Sequence, residues 1–414
     1  MRIAVSTFGS EGDIRPFVAL TRALRVAGHD AFLCAADDFQ ERAAQAGVPF
    51  VPTGPMFGGD PLKAKEQMAR VVREPNPLKS GRIVFEATAT DILGRLEPVL
   101  EATAGVDLVV HHVIDVAGFA AAKVHGKRRV SAALSPGIWN NRRVLMNGRS
   151  LGAGPNRVLG ALIRRLYPYM TDRSFRPVIA AAGLPGPRKN IILEGADSPH
   201  LSLLAVSPSM VAPDPTWPAN LQQTGYWFLD LPDWEPAPAL RAFVENGGDR
   251  PLAIGFGSMG GTDARRQTEA IAGAVERLGR RAVLLSGWGE LGKGDLPASI
   301  CVADHVPHAW LYPRSSLVVH HGGAGTTAAV ARAGVPQVVV WHMGDQPTWG
   351  SLVHRHGQGP APLHHHRLTA DRLAALIDAA DRPQVRAAAR AMGERIRAED
   401  GLGAAVRAIS ALSP

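Results

Sequence analysis

Short apolar runs alternate with amphipathic stretches along this chain, and the alternation comes in two blocks. In the first block Arg2–Thr7 reads as a buried strand, because a parallel strand covered on both faces is a continuous apolar run. Ile14–Ala27 carries helical spacing and stops at Gly28. Ala31–Ala35 predicts a strand, Asp38–Ala46 a helix stopped by Gly47, and Val48–Val51 a strand. Asp107–His111 and Arg128–Ala132 predict two more strands, with a helix over Ala117–Val124 between them. The pattern then loosens over Pro136–Gly160, which is rich in Gly, Asn and Arg and holds isolated Trp139, Met146 and Leu151. An excursion of this kind either shapes a ligand cleft or is a plain surface insertion.

Prolines 213, 215, 218, 232, 236 and 238 crowd Val211–Pro238 and predict an extended linker. Beyond it Pro251–Phe256 reads as a strand, Ala264–Leu278 as a helix, and Ala282–Ser286 and Ile300–Val302 as strands. Ser316–His320 and Gln337–Val340 follow as strands, with a helix over Thr326–Ala333. Thr369–Leu412 is helical in pattern, broken near Arg382–Pro383 and Gly401–Gly403. The expectation is an α/β protein with an N-terminal domain at 1–212, a linker at 213–240 and a C-terminal domain at 241–395. A final helix at 396–414 is expected to pack back on the N-terminal domain. Two Rossmann-like halves hold ligands at the carboxyl ends of their strands, which puts the expected active site in a cleft between them.

Length and composition agree with this picture. The 414 residues suit two domains of ordinary size, and 46% apolar against 20% charged residues is a globular balance. No apolar stretch approaches the roughly 20 residues of a membrane span, and Met1–Thr7 reads as a strand rather than a signal peptide. The expected location is the cytoplasm. Cys34 and Cys301 stand far apart in apolar runs, which excludes a disulfide framework and a zinc site made by cysteine alone. The net charge is +8, from 45 basic and 37 acidic residues. Its arginines are dispersed, without the basic stripe and interleaved aromatics of a nucleic-acid binder. The excess suits an anionic small-molecule substrate.

The strongest chemical feature is His320-His321-Gly322-Gly323-Ala324-Gly325-Thr326-Thr327, which follows a strand and opens a helix. Glycines let the backbone approach a ligand closely, and the N–H groups at a helix start attract anions. Thr326 or Thr327 supplies a hydroxyl or a cap, and a neighbouring histidine can donate to a phosphate oxygen. The run is neither a Walker A loop nor the dinucleotide fingerprint. A bare tight turn is the competing reading. A second Gly-rich turn, Gly255–Gly261, follows the first strand of the second half and would set Ser258 on the same phosphates. A third, Gly9-Ser10-Glu11-Gly12-Asp13, follows the first strand of the chain. There Asp13 is either a helix cap or a carboxylate facing the cleft.

In order along nearly the whole chain, these segments resemble the GT-B glycosyltransferases of family 1, in particular the bacterial antibiotic and sterol enzymes. Gly9–Pro16 is similar to their N-terminal motif. His305-Val306-Pro307-His308 with Leu311-Tyr312-Pro313, His321–Thr326 and Gly344-Asp345-Gln346-Pro347 are similar to their donor region, and Gly225-Tyr226-Trp227 looks like the sterol branch. The resemblance implies two Rossmann-like domains facing each other across a cleft, and an inverting, metal-independent hexosyl transfer. The sugar would pass from a UDP- or dTDP-sugar to a hydroxyl of a small lipophilic acceptor such as a polyketide or glycopeptide aglycone or a sterol. It implies Asp13 as the general base. His321 and the backbone of Gly323, Ala324, Gly325 and Thr326 would hold the diphosphate, with Ser10, Gly12 and Ser258 beside it. Val306 would meet the nucleobase, Asp345 and Gln346 the sugar hydroxyls, and Trp288 would line the nucleotide pocket or be structural. The nucleotide sugar would be a substrate, with no resident cofactor and no metal. Plant relatives carry His where Asp13 stands, and a ribose-binding Glu where this chain has Ala329.

Other residues have two readings each. His111, His112 and Asp115 at a strand end either face the acceptor, as Trp139 and Met146 would, or are structural. Trp341, His342 and Trp349 flank Asp345 and would shape the sugar pocket. His364-His365-His366 resembles a metal tract in composition only, and reads as a solvated loop. Arg164-Arg165-Leu166 with Tyr167 and Tyr169 would form either a membrane-facing surface or a helix over the acceptor cleft, with no stable membrane insertion expected. Competing functions are a nucleotide-sugar epimerase on the same architecture and a non-catalytic auxiliary protein.

Overall fold

The computed structural model describes residues 1–60, 66, 70–71, 74, 77–139, 151–186, 190–230, 234–246, 248–257, 263–287, 291–304 and 306–412. Met146, Ser258 and Trp288, three of the expected site residues, lie outside them. Two compact units form, one from the described residues of 1–143, 151–229 and 399–414, the other from those of 230–398.

The first unit is built on a seven-stranded sheet. Its strands are β1 (Arg2–Ser6), β2 (Asp30–Ala35), β3 (Phe50–Pro52), β4 (Leu108–His112), β5 (Arg128–Ala133), β6 (Leu201–Leu204) and β7 (Leu221–Gln223). Their order is β3-β2-β1-β4-β5-β6-β7, every pairing parallel. Ile3, Ala4, Val5, Leu108, Val109 and Val110 are wholly buried, as a sheet covered by helices on both faces demands. The helix after β1 spans Glu11–Val26 and starts ahead of the expected Ile14, because Ser10 and Asp13 close a capping box around its first turn.

The first unit also runs past the expected boundary at 212. Pro213, Pro215 and Pro218 precede β7 rather than interrupt it, and β7 keeps its N–H groups to pair with β6. The chain enters the second unit after Leu229, inside the stretch expected to be linker. From Glu399 onward the chain belongs to the first unit. Glu399 Oε1 accepts hydrogen bonds from the Ser207 and Ser209 hydroxyls at 2.7 and 2.9 Å, and Ser410 Oγ lies 2.7 Å from His29 Nε2.

The second unit repeats the plan with six strands: β8 (Leu252–Gly255), β9 (Ala282–Leu285), β10 (Ile300–Ala303), β11 (Leu317–His320), β12 (Gln337–Trp341) and β13 (Leu363–His364). Their order is β10-β9-β8-β11-β12-β13, again parallel throughout. In both sheets the strand order reverses direction beside the first strand, at β1/β4 and at β8/β11. A crevice opens beyond the carboxyl ends of such a strand pair, the general ligand position of doubly wound sheets. Among the described residues no helix is long and apolar enough to cross a membrane.

Candidate active site

In the first unit the switch point carries the loop Thr7–Ser10 after β1. Gly9 takes φ +130°, and a Cβ there would lie 2.4 Å from Asp13 Oδ2, so only glycine lets the carboxylate fold back over the loop. Asp13 Oδ2 accepts from the Ser10 N–H at 2.8 Å and from Ser10 Oγ at 3.1 Å. These bonds make Asp13 a cap. Its other oxygen has no hydrogen-bond partner among the described residues, and the side chain is half-buried. One oxygen fixes the carboxylate while the second remains free to accept a hydrogen bond. Ser10 and Gly12 are exposed around the same turn.

The paired histidines at the end of β4 separate into different roles. His111 is fully buried, with Nδ1 3.1 Å from the His112 carbonyl and its ring against Phe119. Burial pushes its pKa down to about 3, so it is a neutral core residue. His112 packs on Phe17, with Nδ1 3.3 Å from the Phe8 carbonyl. Burial lowers its pKa, and the charges of Asp13 and Asp115 pull the other way. His112 is therefore the histidine near Asp13. Asp115 is held by structure, accepting from Ser6 Oγ at 2.5 Å and from the Gly118 N–H at 3.4 Å. Trp139 is buried, its indole N–H 3.4 Å from Asp197 Oδ1, which makes it a packing residue rather than a pocket wall.

Arg95 went unnoticed in the sequence. It is almost fully buried, donates to Thr53 Oγ1 at 2.7 Å and the Thr7 carbonyl at 3.3 Å, and stacks over Phe8 at 5.2 Å. It braces the loop that presents Asp13. One arginine in a mixed helical stretch carries no signal of such a role.

In the second unit the loops after β8, β11 and β12 converge around His321. A Cβ on Gly323 would fall 2.5 Å from His321 Nε2, and one on Gly257 would fall 3.4 Å from His321 Cε1. The imidazole thus lies between the two Gly-rich turns. Gly322 takes φ +87°, and a Cβ there would meet Val339 Cγ1 at 2.7 Å and the Gln346 carbonyl at 3.0 Å. His320 supports the turn from beneath. Its Nε2 lies 2.9 Å from Gln337 Oε1, and its Nδ1 accepts from the Gly322 N–H at 3.1 Å, which fixes the tautomer.

Beyond this turn the helix Ala324–Ala333 begins with Gly323 as its cap and no side-chain capping bond. Its first intrahelical donor is Thr327 N–H, to the Gly323 carbonyl at 2.9 Å, so the N–H groups of Ala324, Gly325 and Thr326 have no partner within the helix. His321 Nδ1 is buried without a hydrogen-bond partner among the described residues, and burial drives the ring's pKa down to about 4. A neutral imidazole and three helix-start amides form a cradle for an anion.

The β12 loop adds the third wall. Asp345 Oδ2 accepts from the Trp349 indole N–H at 2.7 Å. Gln346 Oε1 accepts from the His342 and Met343 N–H groups at 2.7 and 3.0 Å. The amide oxygen of Gln346 is thus engaged in holding the loop, a duty its motif alone did not reveal. Val306 is buried among Leu311, Tyr312 and Val330, and Ala329 packs against the same cluster.

Two Rossmann-like units, each on a parallel sheet, are the fold of the GT-B glycosyltransferases; one carries a fixed carboxylate at its switch point and the other an amide–imidazole cradle. Residues 3–124 match the glycosyltransferase family 28 N-terminal domain, and residues 287–406 match the erythromycin biosynthesis protein CIII-like C-terminal domain. The O-mycaminosyltylonolide 6-deoxyallosyltransferase of Streptomyces fradiae is 33% identical over 420 residues, covering 97% of this chain and 95% of that protein. A sterol 3-beta-glucosyltransferase of Arabidopsis thaliana is 30% identical over 435 residues, and the alignment takes in 99% of this chain and 65% of that protein's length. The crystal structure of the glycosyltransferase SsfS6 of Streptomyces sp. SF2575 with thymidine diphosphate shares the fold. Its TM-score is 0.66 at 21% identity, over 99% of each chain. The chain belongs to the GT-B glycosyltransferases of the bacterial antibiotic and sterol type. It is a sugar-transferring enzyme.

Proposed function

We propose that this glycosyltransferase moves a hexose, with inversion, from a uridine or thymidine diphosphate sugar to a hydroxyl of a small lipophilic acceptor. The observation that carries the reading is the unpartnered imidazole of His321 beside the open first turn of Ala324–Ala333. A diphosphate would satisfy the buried Nδ1 and the Ala324, Gly325 and Thr326 amides together, and that set would take up the charge of the leaving group. Thymidine diphosphate in the complex of SsfS6 supports a nucleoside diphosphate here. The names of these two relatives, one acting on a tylonolide and one on a sterol, support a lipophilic alcohol as acceptor.

In this reading the nucleotide sugar is a substrate rather than a resident cofactor. Asp13 takes the proton from the attacking hydroxyl through the oxygen that Ser10 leaves uncommitted. Attack from the face opposite the departing diphosphate inverts the anomeric carbon. Val306 lies beside the base, and Asp345 meets the sugar hydroxyls. Ser10, Gly12, Ser258 and Trp288 complete the donor contacts that the resemblance implies.

The test is a product assay by mass spectrometry, with UDP- and dTDP-sugars offered against macrolide, glycopeptide and sterol aglycones. Asp13→Asn keeps an oxygen to accept from Ser10, so the helix start survives. Loss of the base should lower kcat by roughly 10²–10⁴-fold, with nucleoside diphosphate affinity unchanged. An Asp13→Asn enzyme that turns over at the wild-type rate would remove Asp13 from the chemistry.

A further inference from the structure

The histidine tract after β12 is more organised than a solvated loop. His364 ends the edge strand β13, in register with Trp341 of β12, and His365–Arg367 form a short turn after it. The turn is braced. Arg266 donates to the carbonyls of His365, His366 and Leu368 at 3.3, 3.5 and 3.3 Å, and its charge is offset by Asp263 at 3.0 Å.

Within this frame the three imidazoles crowd together, with one ring nitrogen from each lying within 4.8 Å of the others. His364 Nδ1 accepts from the His366 N–H at 3.3 Å, which occupies that nitrogen and leaves its Nε2 for another partner. His365 is 1% exposed and stacks on His342 at 4.4 Å with the planes 10° apart. Its Nδ1 is buried without a hydrogen-bond partner among the described residues. A buried polar atom left unsatisfied costs about 1–3 kcal/mol, so a group that engages it would be favoured.

We propose that His364, His365 and His366 form a binding site for a divalent transition ion of the zinc class. Three imidazole nitrogens with no carboxylate or thiolate among them suit zinc, nickel or copper rather than magnesium or calcium. Zinc–nitrogen bonds of about 2.0–2.1 Å in tetrahedral geometry require the donors roughly 3.4 Å apart. Rotation of the exposed His366 and half-buried His364 side chains supplies the remaining approach, and water completes the fourth position. Such a site needs neither donor nor acceptor to bind its ion.

The test is titration of tag-free full-length protein with Zn²⁺ against a chromogenic chelator, because an appended histidine tag would bind the metal itself. Wild type should take up one equivalent. The double variant His364→Ala/His366→Ala should bind roughly tenfold more weakly or worse, while remaining folded by circular dichroism and keeping its nucleoside diphosphate binding. Anomalous scattering at the zinc edge should place the ion among the three rings. Absence of saturable binding, equal binding by the double variant, or an ion located elsewhere would each overturn the proposal.

Discussion

Gly323→Ala separates the stability of the donor loop from its chemistry. Gly323 sits at φ −62° and ψ 147°, a conformation alanine adopts without strain. Removing a glycine there also restricts the unfolded chain, which stabilises by about 0.4–1 kcal/mol. The new Cβ would lie 2.5 Å from His321 Nε2 and 3.3 Å from Cδ2 and Cε1, so the imidazole has to swing aside. A hydrogen bond from this ring to a charged phosphate contributes about 1.5–3 kcal/mol, a loss of roughly 10- to 150-fold in nucleoside diphosphate affinity. Calorimetric titration with dTDP and UDP reads that loss, and thermal unfolding should show a melting temperature no lower than wild type. His321→Ala should weaken binding by the same factor, and the double variant should be no weaker than His321→Ala alone, because both changes remove one interaction. Wild-type affinity in Gly323→Ala would refute the reasoning. So would a further loss on top of His321→Ala, which would mean that the methyl acts on the nucleotide and not through the ring.

Neighbouring Gly322 should behave in the opposite way. Gly322→Ala forces a side chain into φ +87° and against Val339 and the Gln346 carbonyl, and should cost about 2–4 kcal/mol of stability by chemical denaturation. Gln346→Leu leaves the His342 and Met343 amides without their acceptor and should destabilise the fold by about 1–3 kcal/mol. Gln346→Glu, which keeps an oxygen in place, should largely preserve stability. Acid should weaken the protein through its buried neutral histidines. His111 and His320 have folded pKa values of about 3 against an ordinary 6.5, so the unfolded chain binds protons first. Their contribution is intact above pH 6.5 and declines as pH falls toward 3. Between pH 7.5 and 5 the loss is on the order of 2 kcal/mol for each, measurable as a falling denaturation midpoint.

The central strands and the Gly-rich turns at Gly9–Asp13 and His321–Thr326 were legible because their constraints are local. A strand buried on both faces must be apolar throughout, and β1, β4, β8, β11 and β12 all lie within two residues of where the pattern placed them. The helix Ala153–Ala181 was legible only around Arg164–Tyr169, and there as one of two readings, for a physical reason: Val158, Leu162, Leu166 and Tyr169 are exposed, while polar Asn156 and Thr171 are buried. Its periodicity therefore marks the outer face. Strand β7 was hidden by the prolines before it, which set turns without entering the strand. At the site, motifs located Asp13, His321 and Asp345 but could not show what each side chain is bonded to. The cap on Asp13 is one of the two readings its position allows, while the indole on Asp345 and the amides on Gln346 are local bonds set by the loop's conformation, which spacing alone does not give. The divergent places of His111 and His112 and the buried brace of Arg95 are tertiary facts, since they join segments distant in sequence. The histidine tract reads differently once His342 is seen beneath it, because no spacing rule links positions 342 and 365.

Sugar transfer as proposed requires a nucleoside diphosphate bound at the start of Ala324–Ala333. A crystal structure of the protein with dTDP or UDP tests this most directly. The β-phosphate should lie within hydrogen-bond distance of the His321 imidazole and of the Ala324, Gly325 and Thr326 amides. A diphosphate bound at another place, with this helix start and His321 Nδ1 left untouched, would contradict it.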